Sequence, residues 1–196
     1  MELGEYPFSQ RYGWLQDKYG LSWQLMWSNH PISQKIIPTL MFTQKQCGKA
    51  EEAIKFYASV FRNTMVGSIM RYDENDKPDK KGTIKHASFI LEGKEFTAMD
   101  SAHKHDFTFN EAISFLVHCD TQKEIDYYWS RLSADKNAEQ CGWLKDKFGV
   151  SWQIVPAMMQ EMLSSKDEKK LARVTEAFLK MKKFDIKKLE EAYVSD

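Results

Sequence analysis

No stretch of this sequence stays apolar for the roughly 20 residues that a membrane-spanning helix needs. Charge of one sign is missing too. Lys and Arg number 28 and Asp and Glu number 28, so the chain has no net field to recruit nucleic acid or an anionic membrane. Cysteine is scarce: Cys47, Cys119 and Cys141 are odd in number and far apart. That pattern fits reduced thiols in a cytoplasmic protein, and no CxxC or Cys/His spacing calls for structural zinc. The opening residues MELGEYPFSQ lack the basic and apolar regions of a secretory leader. Glycine is thin, and the nine glycines never fall two apart. The Gly-rich strand-to-helix turn that cradles a nucleotide or S-adenosylmethionine is therefore missing.

What the chain does have is a repeat. GWLQDKYGLSWQLM at 13–26 returns as GWLKDKFGVSWQIV at 142–155, with nine of fourteen positions identical. Each copy reads as a β-hairpin. Asp146-Lys147-Phe148-Gly149 is a turn with Gly where positive φ is cheap. Val150, Trp152 and Ile154 then alternate with Ser151, Gln153 and Val155, and Pro156 closes the strand.

Between the copies, strand and helix patterns alternate. IIPTLMF at 36–42 reads as a strand whose Pro38 marks an edge or a start. Ala50, Ala53, Ile54, Tyr57, Ala58 and Phe61 lie on one helix face. TMVGSIMRY at 64–72, IKHASFIL at 84–91 and EFTAMD at 95–100 read as strands, the last two joined through Glu92-Gly93-Lys94. AISFLVHC at 112–119 is the most apolar strand. Thr121 and Glu124 then box the start of a helix carrying Ile125, Tyr128, Trp129 and Leu132. Past Pro156 the pattern is helical. Ser165 with Glu168 forms a capping box, Leu171, Val174, Phe178 and Met181 form a stripe, and Asp185 caps a last helix holding Ile186, Leu189 and Tyr193. The order predicts an α+β fold of two similar halves, the second one strand short.

The stretch FTAMDSAHKHDFTFNEAISFLVHCDTQKEIDYYWSRL, followed by EQCGWLKDKFGVSWQIVP and LKMKKFDIKKLEEA, resembles the PhnB-like family, often labelled 3-demethylubiquinone-9 3-methyltransferase. That family lies in the glyoxalase/bleomycin-resistance/dioxygenase, or vicinal oxygen chelate, superfamily. The resemblance spans residues 36–192 and implies paired βαβββ modules whose sheets curve around a cavity. It divides the chain into an N-terminal hairpin (1–30), a glyoxalase/PhnB-like domain (36–156) and C-terminal helices (157–196). The hairpin then looks like the remnant of an upstream module. A lone hairpin is unstable in water, and this one carries Tyr12, Trp14, Tyr19, Trp23 and Trp27. Docking on a sheet edge of a second copy predicts a homodimer, with docking on its own chain as the alternative.

Superfamily enzymes hold a divalent metal with inward His and Glu side chains, typically including a Glu four residues after the hairpin glycine. Here that place holds Gln153, and Gln24 in the first copy. A neutral amide is a poor ligand for a hard ion. The strand at 36–42 has no His, and Ala112 and Ser114 stand near the other inward positions. The expectation is no metal, no cofactor and no methyl transfer. The expected function is binding of a small molecule in an aromatic-lined cavity formed by Gln153, Ser114, His86, Asn110, Phe107, Phe109, Trp129, Trp143 and Trp152. The alternative is a lyase, isomerase or dioxygenase using a non-standard metal site at His86 or the His103/His105 loop.

Overall fold

A computed structural model describes residues 1–195 and divides into two compact units, Met1–Ile37 and Pro38–Asp196. The first unit is a three-stranded antiparallel sheet of β1 (Gly4–Tyr6), β2 (Ser9–Gln16) and β3 (Ser22–Met26). The repeat predicts β2 and β3; β1 is an addition. Two local causes place it. Gly13 has no Cβ, and one built there would stand 3.3 Å from the Leu3 Cα, so glycine lets the Leu3 backbone come close without being pushed away. Tyr6 and Phe8 also close over Tyr12, with ring centroids 5.6 and 5.0 Å away, and bury it.

The second unit begins at Pro38. β4 (Thr39–Phe42), α1 (Ala50–Val60), β5 (Met65–Arg71), β6 (Ile84–Leu91) and β7 (Lys94–Asp100) form a βαβββ module with strand order β4-β7-β6-β5. β4 runs parallel to β7, and the other pairs are antiparallel. The α1 face of Ala50, Ala53, Ile54 and Tyr57 is buried in one core with Leu40, Phe42, Ala87, Phe89, Phe96 and Ala98. Asp100, at the end of β7, accepts from the backbone N–H groups of Gly48 and Ala50, at 2.7 and 3.1 Å, and of Ile84, at 2.9 Å. A buried carboxylate thus satisfies donors at the start of α1, where the helix dipole favours negative charge.

The second half is β8 (Ser114–Cys119), α2 (Gln122–Leu132), β9 (Trp143–Lys145) and β10 (Ser151–Pro156). It is one strand short, with order β8-β10-β9 and β8 parallel to β10. The fold is therefore the α+β pairing expected, built as one βαβββ module and one abbreviated partner.

The tail is α3 (Met159–Leu163), α4 (Glu168–Leu179) and α5 (Ile186–Val194). The short α3 falls outside the sequence pattern. The cap of α4 also differs from expectation. Asp167, not Ser165, accepts from the N–H groups of Lys169 and Lys170, while the Ser165 hydroxyl accepts from Asp167 N–H. A carboxylate outcompetes the hydroxyl at the positive helix end. Gln122 of α2 secures the tail from both sides of its amide, donating to Phe184 O at 3.1 Å and accepting from Ile186 N–H at 2.9 Å.

Candidate functional site

Period-two alternation gives the sheet β8-β10-β9 two unlike faces. One carries Trp152, Ile154 and Leu144, all buried with Ile125 and Trp129 of α2. The other carries Ser114 and Leu116 from β8, Gln153 and Val155 from β10, and Trp143 from β9. Their register is fixed by the pairs Gln153↔Leu116 and Gln153↔Trp143. On this open face the Gln153 Nε2 donates to Ser114 Oγ at 2.8 Å. Gln153, Ser114 and Trp143 are half-buried, and Leu116 is exposed.

The expected site residues do not all converge. Gln153, Ser114 and Trp143 share the open face. Trp152 and Trp129 point the other way and are only 2 % and 8 % exposed. The alternation itself held that information, because neighbours 152 and 153 of one strand cannot line one surface. Phe109 packs edge-on against Phe42 at 5.0 Å, while Phe107 is exposed and lies 5.0 Å from the His105 ring. The Phe107 carbonyl accepts from Thr43 Oγ1 at 2.8 Å. Asn110 is an exposed loop residue whose Oδ1 accepts from Ala112 N–H. His86 stands on the other sheet, on the face away from α1. Burial alone lowers its pKa, and among the described residues no hydrogen bond engages its imidazole.

The two loop histidines part company. His103 Nε2 stands 3.5 Å from an Asp79 carboxylate oxygen, whereas the His105 ring shares a 2.8 Å hydrogen bond with Ser101. Among the described residues no group of three or more His, Cys, Asp or Glu side chains could hold a metal ion. The divalent-metal triad of the resemblance does not fit this donor set. Gln153 contributes a neutral amide that already donates to a hydroxyl, and β4 offers no imidazole. Burial pushes the Cys119 thiol up to about 12, which makes it inert as a nucleophile at neutral pH.

Sequence reading missed the most heavily bonded side chain in this half. Asp146 is buried, and its Oδ1 accepts from Phe148 and Val150 N–H at 2.9 and 3.0 Å. Its Oδ2 accepts from the Trp152 indole at 2.8 Å and the Tyr57 hydroxyl at 2.7 Å. The spacing Asp-x-x-Gly-x-x-Trp in both copies was the available clue. In the first copy Asp17 accepts from Tyr19 and Leu21 N–H and from the Trp23 indole, and among the described residues no hydroxyl takes the place of Tyr57. Burial raises the Asp146 pKa against its four donors, whereas at Asp17 the indole bond leads and the pKa falls.

A model of the family described as 3-demethylubiquinone-9 3-methyltransferase matches residues 34–155. Among solved structures, the putative 3-demethylubiquinone-9 3-methyltransferase, PhnB protein, from Bacillus cereus is 46% identical, with a TM-score of 0.56. That match covers 63% of this chain and 100% of the Bacillus chain. Protein PA1353 from Pseudomonas aeruginosa is 20% identical over 63% of this chain and 98% of its own, with a TM-score of 0.50, a likeness of fold alone. No curated protein matches the chain.

Proposed function

The chain belongs to the PhnB-like family described as 3-demethylubiquinone-9 3-methyltransferase, and from that premise we propose that it is a small-molecule-binding protein. The observation that carries this reading is the Gln153–Ser114 pair. A neutral amide and hydroxyl, bonded to each other, stand half-buried between Trp143, Leu116 and Val155 on an open sheet face. Apolar surroundings with a few convergent neutral polar groups select an apolar or aromatic ligand with one hydrogen-bonding edge. The transfer reaction in the family's description has no counterpart in these residues. The turn that leads from β4 into α1 holds one glycine, Gly48, and no glycine-rich cradle for a methyl donor.

The reading extends to self-association. Leu15, Leu25 and Trp27 of the first unit are 47%, 47% and 52% exposed, which is apolar surface that a second copy would cover.

The test is a thermal-shift screen of neutral aromatic compounds against the full chain and Gln153→Leu. Compounds that raise the melting temperature of the parent and not of the variant bear the proposal out. A panel without any such compound, or shifts identical in the variant, overturns it.

A further inference from the structure

One hydroxyl on the open face of β8-β10-β9 is buried without a partner. Ser151 is 2% exposed, and its Oγ has no hydrogen-bond partner among the described residues. The register places it on the central strand β10, opposite Ser114 of β8 and Lys145 of β9. Alternation puts Ser151 on the same side of β10 as Gln153, with Trp152 between them in the core. The hydrogen bond from Gln153 to Ser114 shows independently that β8 and β10 present these residues on one face. The matching residue of the first copy, Ser22, is exposed to water. A buried hydroxyl with no partner costs stability, and this one lies beside two polar groups that already bond each other.

We infer that the ligand of this face is a neutral aromatic carbonyl compound whose carbonyl oxygen accepts from the Ser151 and Ser114 hydroxyls. The inference rests on the small-molecule reading above and names the group that its hydrogen-bonding edge carries. Paired strands stand about 4.8 Å apart, and one acceptor between the two hydroxyls can bond both at about 2.8 Å. Those lengths set the two bonds roughly 120° apart, the spread of the lone pairs on a carbonyl oxygen. Gln153 assigns the hydrogens. Its amide N–H occupies the Ser114 oxygen, which leaves the Ser114 O–H to donate elsewhere. Leu116 and Trp143, opposed to Gln153 on either side, give the aromatic ring an apolar bed. Charge argues for a neutral ligand. The one cation in the Ser151 row, Lys145, already pairs with Glu111, so a carboxylate would meet an anion beside it. Glu111 lies at the surface, and such exposed pairs hold little energy. Lys145 can therefore shift aside as the ligand reaches Ser151.

The experiment titrates the full chain, labelled with 13C at the leucine methyl groups, with two probes of one shape. Acetophenone carries the carbonyl, and α-methylstyrene has a methylene group in place of its oxygen. Acetophenone should move the Leu116 methyl signals and bind at least about tenfold tighter than α-methylstyrene. Ser151→Ala should make the two affinities equal by weakening acetophenone alone. Without ligand, Ser151→Ala should melt no lower than the parent, because it removes a hydroxyl that nothing satisfies. The inference is overturned if the parent binds both probes equally, if the preference survives Ser151→Ala, or if the unliganded variant melts lower. Equal binding of both probes that is lost in Gln153→Leu would strike the carbonyl and keep the small-molecule reading. Acetophenone that leaves Leu116 in place also overturns the inference, while hits elsewhere in the aromatic panel would keep that reading.

Discussion

Asp146 shows what one side chain can decide. Its carboxylate closes the turn between β9 and β10 through two backbone N–H groups and fastens that turn to α1 through Tyr57. Around it Phe148 packs edge-on against Tyr57 at a centroid distance of 5.9 Å and Trp152 lies tilted to Tyr57 at 5.5 Å. Tyr57→Phe keeps the ring and removes only the donor, so the expected loss is about 2 kcal/mol, the range of a hydrogen bond to a charged group. Urea denaturation should show a lower midpoint with an unchanged slope; an unchanged midpoint would mean the hydroxyl is idle. Asp17→Ala should cost much less, because that carboxylate, among the described residues, accepts only from its own turn and the Trp23 indole. The aromatic and β-branched pattern made both hairpins legible, but not the buried carboxylate. Nothing in a lone Asp says which helix will bring it a hydroxyl.

At the scale of elements, strands and helices of the second unit follow the residue pattern closely, and the exceptions have physical causes. β1 forms because Leu3 crosses a glycine and aromatic rings gather on Tyr12. α4 starts at Asp167 because a carboxylate is the stronger cap. The open faces were harder to read. Sequence spacing says which residues alternate along one strand, but only the register says which stand opposed across strands, as Gln153 does with Leu116 and Trp143. One tie between elements is sensitive to acid. Glu51 of α1 accepts from Arg71 of β5 at 2.7 Å and pairs with Lys55 at 2.8 Å. The Arg71 hydrogen bond leads in lowering its pKa from 4.5 to about 2. A folded-state pKa below the unfolded one stabilises above the unfolded value and loses that contribution as pH falls through the folded one. Melting temperatures of the parent and Glu51→Gln should therefore differ most above pH 4.5 and converge by about pH 2. A constant difference across that window would show that the ion pair does not hold α1 to the edge strand.

At the scale of the whole molecule, the two copies of the repeat share side chains and differ in surroundings. Phe148 and Leu144 are 1% exposed, and their counterparts Tyr19 and Leu15 are 83% and 47% exposed. A surface that is core in one copy and open in the other is the strongest argument for association. A chain beginning at Ser33 should sediment as a monomer where the full chain sediments as a dimer, and it should melt at a lower temperature. An unaltered dimer with unaltered melting would assign the interface to other residues.

The hairpin of β2 and β3 also has a place in time. It is complete once residue 27 has been made, while its twin must wait for residue 156. At about 5–20 residues per second, that interval lasts on the order of ten seconds. The strand pairs and ring contacts described for the first unit lie within residues 4–26, all of them made before the second unit. The hairpin's Leu15, Trp23 and Leu25 side chains are thus presented beside the ribosome before any sheet of the second unit exists. Every ribosome further along the same message already carries a completed hairpin, so identical chains stand at high local concentration with this face bare. Self-association through this face, as proposed above, would then begin on nascent chains, ahead of any encounter between finished molecules.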